Sequence, residues 1–158
     1  MADSAVTAPV RKTGSEHPIL EHDATSEWLG ISVQELADGY AAITMDLRPE
    51  MLNGFSIAHG GMVFAFADTA FALACNPSSA ESLASMDTIT VASGADINFI
   101  SSARAGDRLR AEASRRAAAG RSGVFDIEVT AQSPDGTTRV IAEFRGRSRT
   151  IPNPARRS

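Results

Sequence analysis

Apolar and polar residues alternate over most of this chain, and one segment breaks the rule. Ile31–Leu36 and Tyr40–Leu47 are alternating runs with Ala37, Asp38 and Gly39 between them. Asp-Gly between such runs signals a hairpin. In the second run Ala41, Ile43, Met45 and Leu47 share one face. Four more runs follow: Ile89 to Phe99, Leu109 to Ala113, Phe125 to Ala131 and Val140 to Phe144. Gly106-Asp107, Gly120 and Asp135-Gly136 stand between them, so the spacing predicts a four-stranded antiparallel meander. The exception is Met62–Cys75, where only Asp68 and Thr69 are polar. A run apolar on every side predicts a helix buried all round, roughly 22 Å long and ended by Pro77 and the serines after it.

Ile19–Leu29 mixes apolar and charged residues and reads as a short helix ending near Gly30, and residues 48–58 read as a loop with Pro49 and Gly54. The order is hairpin, buried helix, antiparallel sheet. A central helix wrapped by a curved sheet satisfies it, each burying the other's apolar face. That is an α+β architecture with a sheet edge left over, which favours pairing between copies. Residues 1–18, polar with Pro9, Gly14 and Pro18, read as a flexible N-terminal tail. Residues 19–151 form a single domain and 152–158 a flexible C-terminal tail.

Composition narrows the class. A chain of 158 residues with 43% hydrophobic residues suits one domain with a real core. The net charge of -4 argues against a nucleic-acid partner. The charge is uneven: residues 1–99 hold 13 acids and 3 bases, residues 100–158 hold 6 acids and 12 arginines. Such asymmetry can mark a site for an anion, or simply a composition that favours Arg, since Lys12 is the one lysine. Cys75 is the one cysteine, so no intrachain disulfide forms. The first eighteen residues lack the apolar stretch of a signal peptide, and no run is long enough to span a membrane. A cytoplasmic protein is expected.

Candidate chemistry gathers on the apolar helix. Burying an ionised carboxylate is costly unless it is paired, and carboxylates with perturbed pKa concentrate at functional sites. Asp68 is therefore either a functional group or a structural one bonded to nearby backbone or to Thr69. His59-Gly60-Gly61 opens the helix. Free N–H groups there can meet an oxygen gaining negative charge, and glycines leave room for a ligand. Gly-Gly is equally a tight loop-to-helix turn with His59 as cap. Nine residues separate His59 from Asp68, which places them on opposite sides of the helix and about 13 Å apart along it. If both serve one site, they come from two subunits. Asn53 can orient a water or a carbonyl, or can be the turn residue of Asn-Gly. His17 and His22 read as solvated. No metal-ligand spacing appears, and GxSxG, Walker A and GxGxxG motifs are absent.

The string Asn53…His59-Gly60-Gly61…Phe64…Ala67-Asp68-Thr69-Ala70-Phe71…Asn76 resembles the hot-dog thioesterases of phenylacetic acid degradation, the hydroxyphenylacetyl-CoA thioesterases. Ala95–Phe99, Ala105–Leu109 and Phe144–Arg147 extend the resemblance over residues 28–151. The resemblance implies the hot-dog fold, an antiparallel sheet around one long helix. It implies that Asp68 acts as general base or nucleophile, and that the Gly60 N–H of a partner polarises the thioester carbonyl. Asn53 and His59 would position substrate or water, with the acyl group beside Gly61, Phe64, Phe66, Thr69 and Phe71. It also implies a homodimer or a dimer of dimers. Related 4-hydroxybenzoyl-CoA thioesterases of one type carry Glu in place of Asp68. The chain departs from the family where Ser101-Ser102-Ala103 replaces Arg-Pro, so the contacts near the CoA end do not carry over.

The expected reaction is hydrolysis of an aromatic (phenylacetyl- or hydroxyphenylacetyl-type) or medium-chain acyl-CoA to acid and CoA, with no metal and no cofactor beyond the CoA of the substrate. CoA phosphates would lie near arginines of the C-terminal strands. Two rivals stand: a hot-dog enoyl-CoA hydratase or dehydratase using His59 and Asp68 as a pair, and a non-catalytic acyl-CoA-binding protein.

Overall fold

The computed structural model describes residues 12–13 and 17–156. Seven strands and two α-helices follow in the order β1 (Lys12–Thr13), α1 (Ala24–Leu29), β2 (Ser32–Ala37), β3 (Tyr40–Asp46), α2 (Gly60–Cys75), β4 (Thr88–Phe99), β5 (Arg108–Ala119), β6 (Ser122–Gln132) and β7 (Thr138–Pro152). The strands form one antiparallel sheet in the order β1-β2-β3-β5-β6-β7-β4. The Asp38-Gly39 turn joins β2 to β3 as expected, with Gly39 at φ 71°, a conformation that glycine adopts without strain.

The expected meander is only three strands long. β5, β6 and β7 are sequential neighbours, but β4 pairs with β7 at the far edge, with Ile97 opposite Phe144. The first hairpin takes the place beside β5 instead, with Ile43 opposite Ala111. Alternation identifies a strand and its buried face; it carries no information about which neighbour the strand finds.

α2 lies against the concave face of the sheet. Val63, Phe66, Ala67, Ala70, Phe71, Leu73 and Ala74 are its buried residues. They meet Ile43, Leu109, Ile127, Val129, Ala142 and Phe144 from the strands in one core. The helix approaches closely at Gly146, where an added Cβ would stand 2.8 Å from the Phe71 ring. The helix is not buried all round. Gly61 is exposed, Phe64 is 36% exposed, and Asp68, Ala72 and Cys75 are half-buried. This stripe at spacings of three and four is the face one sheet cannot cover.

The segment before β2 splits where one helix was expected. Pro18–Leu20 is a 3-10 turn and α1 is separate, capped by the Asp23 side chain on the Ser26 N–H at 3.1 Å and ended by Gly30 at φ 71°. Most of the expected N-terminal tail lies outside the described residues. Its described parts belong to the fold: β1 pairs with β2, and His17 is 2% exposed rather than solvated. The C-terminal tail is likewise anchored as far as Arg156. Asn153 is buried and its amide donates to the Leu83 and Met86 carbonyls at 2.9 and 2.8 Å. Many of the C-terminal arginines are paired with acids, Arg115 with Asp38, Arg139 with Asp107, Arg145 with Asp126 and Arg147 with Asp96 among them. The charge asymmetry of the sequence is thus largely neutralised by local pairs. No helix among the described residues is long and apolar enough to cross a membrane, and no group of three metal-ligating side chains occurs among them.

Candidate active site

The N-terminus of α2 leaves one backbone donor unspent. His59 is the cap, with φ -64° and ψ 129°, and its Nδ1 accepts from the Gly61 N–H at 3.0 Å. Its carbonyl accepts from Met62 and Val63 at 2.9 and 3.2 Å. The Gly60 N–H has no partner among the described residues. Above Gly60 lies the Phe99 ring, whose Cζ would stand 3.1 Å from an added Cβ. The loop before the helix is held by Asn53. Its Oδ1 accepts from Phe55 N–H at 2.9 Å and Ile57 N–H at 3.4 Å, so it is the turn residue. Its Nδ2 carries no hydrogen bond among the described residues. Asn53 and Gly60 line one cavity of about 340 Å³, together with Val63, Phe99, Ser101 and Ser102.

Asp68 lines a second cavity of about 310 Å³ on the uncovered stripe of α2. Its carboxylate makes no hydrogen bond or ion pair among the described residues. The structural alternative therefore fails, because the Thr69 hydroxyl donates to the Ala65 carbonyl at 3.0 Å instead. Burial without a partner raises the pKa of Asp68 above the ordinary carboxylate value. Phe71, Ala72 and Cys75 continue the helical wall, and Ile89–Ala92 of β4 form the facing wall. The Cys75 thiol is pushed up to about 12 by burial, with the Asp68 charge adding to it; it stays protonated and is no nucleophile.

The two cavities share no lining residue. Gly60 and Asp68 are about 12 Å apart along the helix. Ala92 and Phe99, which mark the two cavities on β4, are roughly 23 Å apart along the strand. One chain thus holds two separate cavities, at opposite ends of an edge strand that pairs only with β7 among the described residues.

Of the remaining residues singled out in the sequence, Phe71 is core and cavity wall at once, 1% exposed and edge-on to Phe125 at 5.4 Å. Phe64 packs edge-on to Phe144 at 5.1 Å, and Phe66 is fully buried. His59, Gly61, Phe64, Phe66 and Thr69 line neither cavity. Sequence reasoning missed Ile19, Asn76, Thr90 and Phe99. Asn76 was visible only as part of a resemblance, and Phe99 only as a strand residue within one.

Against known families, residues 55–137 match the model of the thioesterase superfamily. The chain is also 40% identical over 135 residues to the acyl-coenzyme A thioesterase PaaI of Escherichia coli (strain K12), covering 85% of this chain and 88% of that protein. The chain belongs to the thioesterase superfamily. Its fold agrees: the structure of E. coli PaaI, from the phenylacetic acid degradation operon, superposes with a TM-score of 0.74 at 38% identity, over 85% of this chain and 89% of that one. A putative esterase of Archaeoglobus fulgidus is 31% identical over 80% of this chain and 74% of its own length. The hot-dog fold and the thioesterase family that the residues resembled are both borne out. One cavity holds a carboxylate without a hydrogen bond or ion pair, the other a backbone N–H without a partner, among the described residues.

Proposed function

We propose that this thioesterase hydrolyses an aromatic or medium-chain acyl-CoA to free acid and CoA, at a site completed by two copies of the chain. One observation carries the reading: an unpaired, half-buried carboxylate opens into an apolar cavity while an unspent N–H waits in a different one. Asp68 takes a proton from water, and the resulting hydroxide adds to the thioester carbonyl. The oxyanion is held by the Gly60 N–H and the Asn53 Nδ2 of a second copy. Collapse expels the CoA thiolate, which recovers the proton from Asp68. Direct attack by Asp68 gives an acyl anhydride instead; water opening it at the Asp68 carbonyl leaves 18O in Asp68 and none in the acid after a single turnover in 18O-water, whereas the water-activation route labels the acid. A thioester is activated enough for one carboxylate and one oxyanion donor to suffice.

The dimer follows from the free edge of β4. Antiparallel pairing of two such edges about a two-fold axis near Ala95 sets Ala92 of one copy across from Phe99 of the other. That brings Asp68 of one copy toward Gly60 of its partner. PaaI supports the phenylacetyl-type acyl group, and the apolar lining beside Asp68 supports any acyl group without charge. A lone, protonated thiol suits a reducing cytoplasm. The hydratase reading needs a His-Asp pair, and His59 spends Nδ1 on the helix cap. Incubation with a panel of acyl-CoA esters and measurement of free thiol tests the proposal. Release abolished by Asp68→Ala supports it; ester binding with no release by the natural protein favours a sensor and overturns it.

A further inference from the structure

The cavity beside Asp68 is lined by residues of α2 and β4 and by one residue from the segment before α1, Ile19. Its helical wall runs Asp68, Ala72, Cys75 and on to Asn76 at the end of the helix, and Ile19 and Leu83 also line it. Ile19 belongs to the 3-10 turn Pro18–Leu20, and both Ile19 and Leu20 pack against the core.

This turn is clasped. His17 is buried, its Nδ1 accepts the Ile19 N–H at 3.3 Å, and its Nε2 donates to the Asn76 carbonyl at 3.2 Å. Asn76 in turn donates to the Ala72 and Thr90 carbonyls at 3.0 and 2.8 Å and accepts the Thr90 N–H at 2.9 Å. One hydrogen-bonded chain therefore ties the turn to the end of α2 and the start of β4, the elements whose residues form the two walls.

We infer that the turn Pro18–Leu20 is the end stop of the acyl site, and that Ile19 sets how long an acyl chain the enzyme accepts. The inference rests on the proposal that the acyl group lies beside Asp68. Seven residues separate Asp68 from Cys75, about 10 Å along the helix. With C–C bonds of about 1.5 Å, a zigzag chain of roughly eight carbons spans that length. A phenylacetyl group fits with room to spare, while a longer chain meets the Ile19 side chain.

The test measures kcat/KM for free-thiol release from butanoyl-, octanoyl-, dodecanoyl- and phenylacetyl-CoA, with thermal melting of each variant alongside. One methylene in an apolar pocket is worth on the order of tenfold or more. The natural protein should prefer octanoyl over dodecanoyl by at least about tenfold on that scale. Ile19→Ala should raise the dodecanoyl-to-butanoyl ratio about tenfold, and Ile19→Phe should lower the octanoyl-to-butanoyl ratio by a similar factor. The opposed pair protects the test: a variant that merely loosens the fold lowers every rate together and leaves the ratios alone. Unchanged ratios in both variants, with turnover intact, overturn the inference while sparing the proposed function. No thiol released from any ester by the natural protein overturns both.

Discussion

The two faces of α2 obey opposite rules. The face toward the sheet carries Val63, Phe66, Ala67, Ala70 and Leu73, all at most 3% exposed, and every one is satisfied by apolar neighbours. The other face carries Asp68, which has no hydrogen bond or ion pair among the described residues. Folding of a single chain gains from the first face and loses on the second. A carboxylate with a raised folded pKa is stabilising only while protonated, so this contribution is lost as pH rises through the folded value. The helix keeps at Asp68 a group that costs stability, and such a cost is characteristic of function.

The sharpest way to break the comparison is to neutralise the costly group. Asp68→Asn should reduce kcat on the order of 10²–10⁴-fold, the usual contribution of a positioned base. It should leave the melting temperature at neutral pH equal or higher, because the variant removes an uncompensated buried charge. A variant that loses both activity and stability would make Asp68 structural. On the other face, Phe66→Ala should cost about 3–5 kcal/mol in denaturant unfolding, and its activity should follow the folded fraction.

Smaller effects follow at the helix start. Gly60→Pro removes one N–H without costing a hydrogen bond, since that donor has no partner among the described residues. Proline is tolerated at the first helical position, and His59 at φ -64° and ψ 129° already has the extended backbone that a following proline demands. The added ring meets Phe99, whose Cζ would stand 3.1 Å from the new Cβ, so Phe99 must swing aside at a modest cost in stability, while kcat falls on the order of 10²–10³-fold. A pH profile adds the mildest test. Burial lowers the pKa of His17 from its ordinary 6.5, so the stability it contributes is present above that value and lost as pH falls through the folded one. His17→Gln should flatten the stability profile in that window. The acid limb of activity should lie above the ordinary carboxylate range, set by Asp68.

The contrast between the faces also explains what the sequence could say. The strands were legible because burial imposes a period of two, α2 because its long apolar run breaks that period, and Asp68 because one charge interrupts the run. The neighbour order of β4 was not legible, since a strand's alternation is the same beside β5 or beside β7. Nor was the end stop. His17-Pro18 reads as tail and Ile19-Leu20 as the start of a helix, because the clasp depends on Asn76, 59 residues from His17, and nothing local announces that contact. The one local signal was Pro18 at the first position after a capping residue. The half-sites were legible as a pair only through helix geometry, which already kept His59 and Asp68 from meeting within a chain.

Subunit mixing tests the shared site most directly. Asp68→Asn and Gly60→Pro variants, each inactive alone, are unfolded together, refolded as a mixture and assayed for thiol release. If each site joins Asp68 of one copy to Gly60 of another, half the dimers carry one intact site, and about a quarter of the natural activity returns. Activity that stays at the level of the separate variants, with mixed dimers present, would place the whole site within one chain and contradict the account.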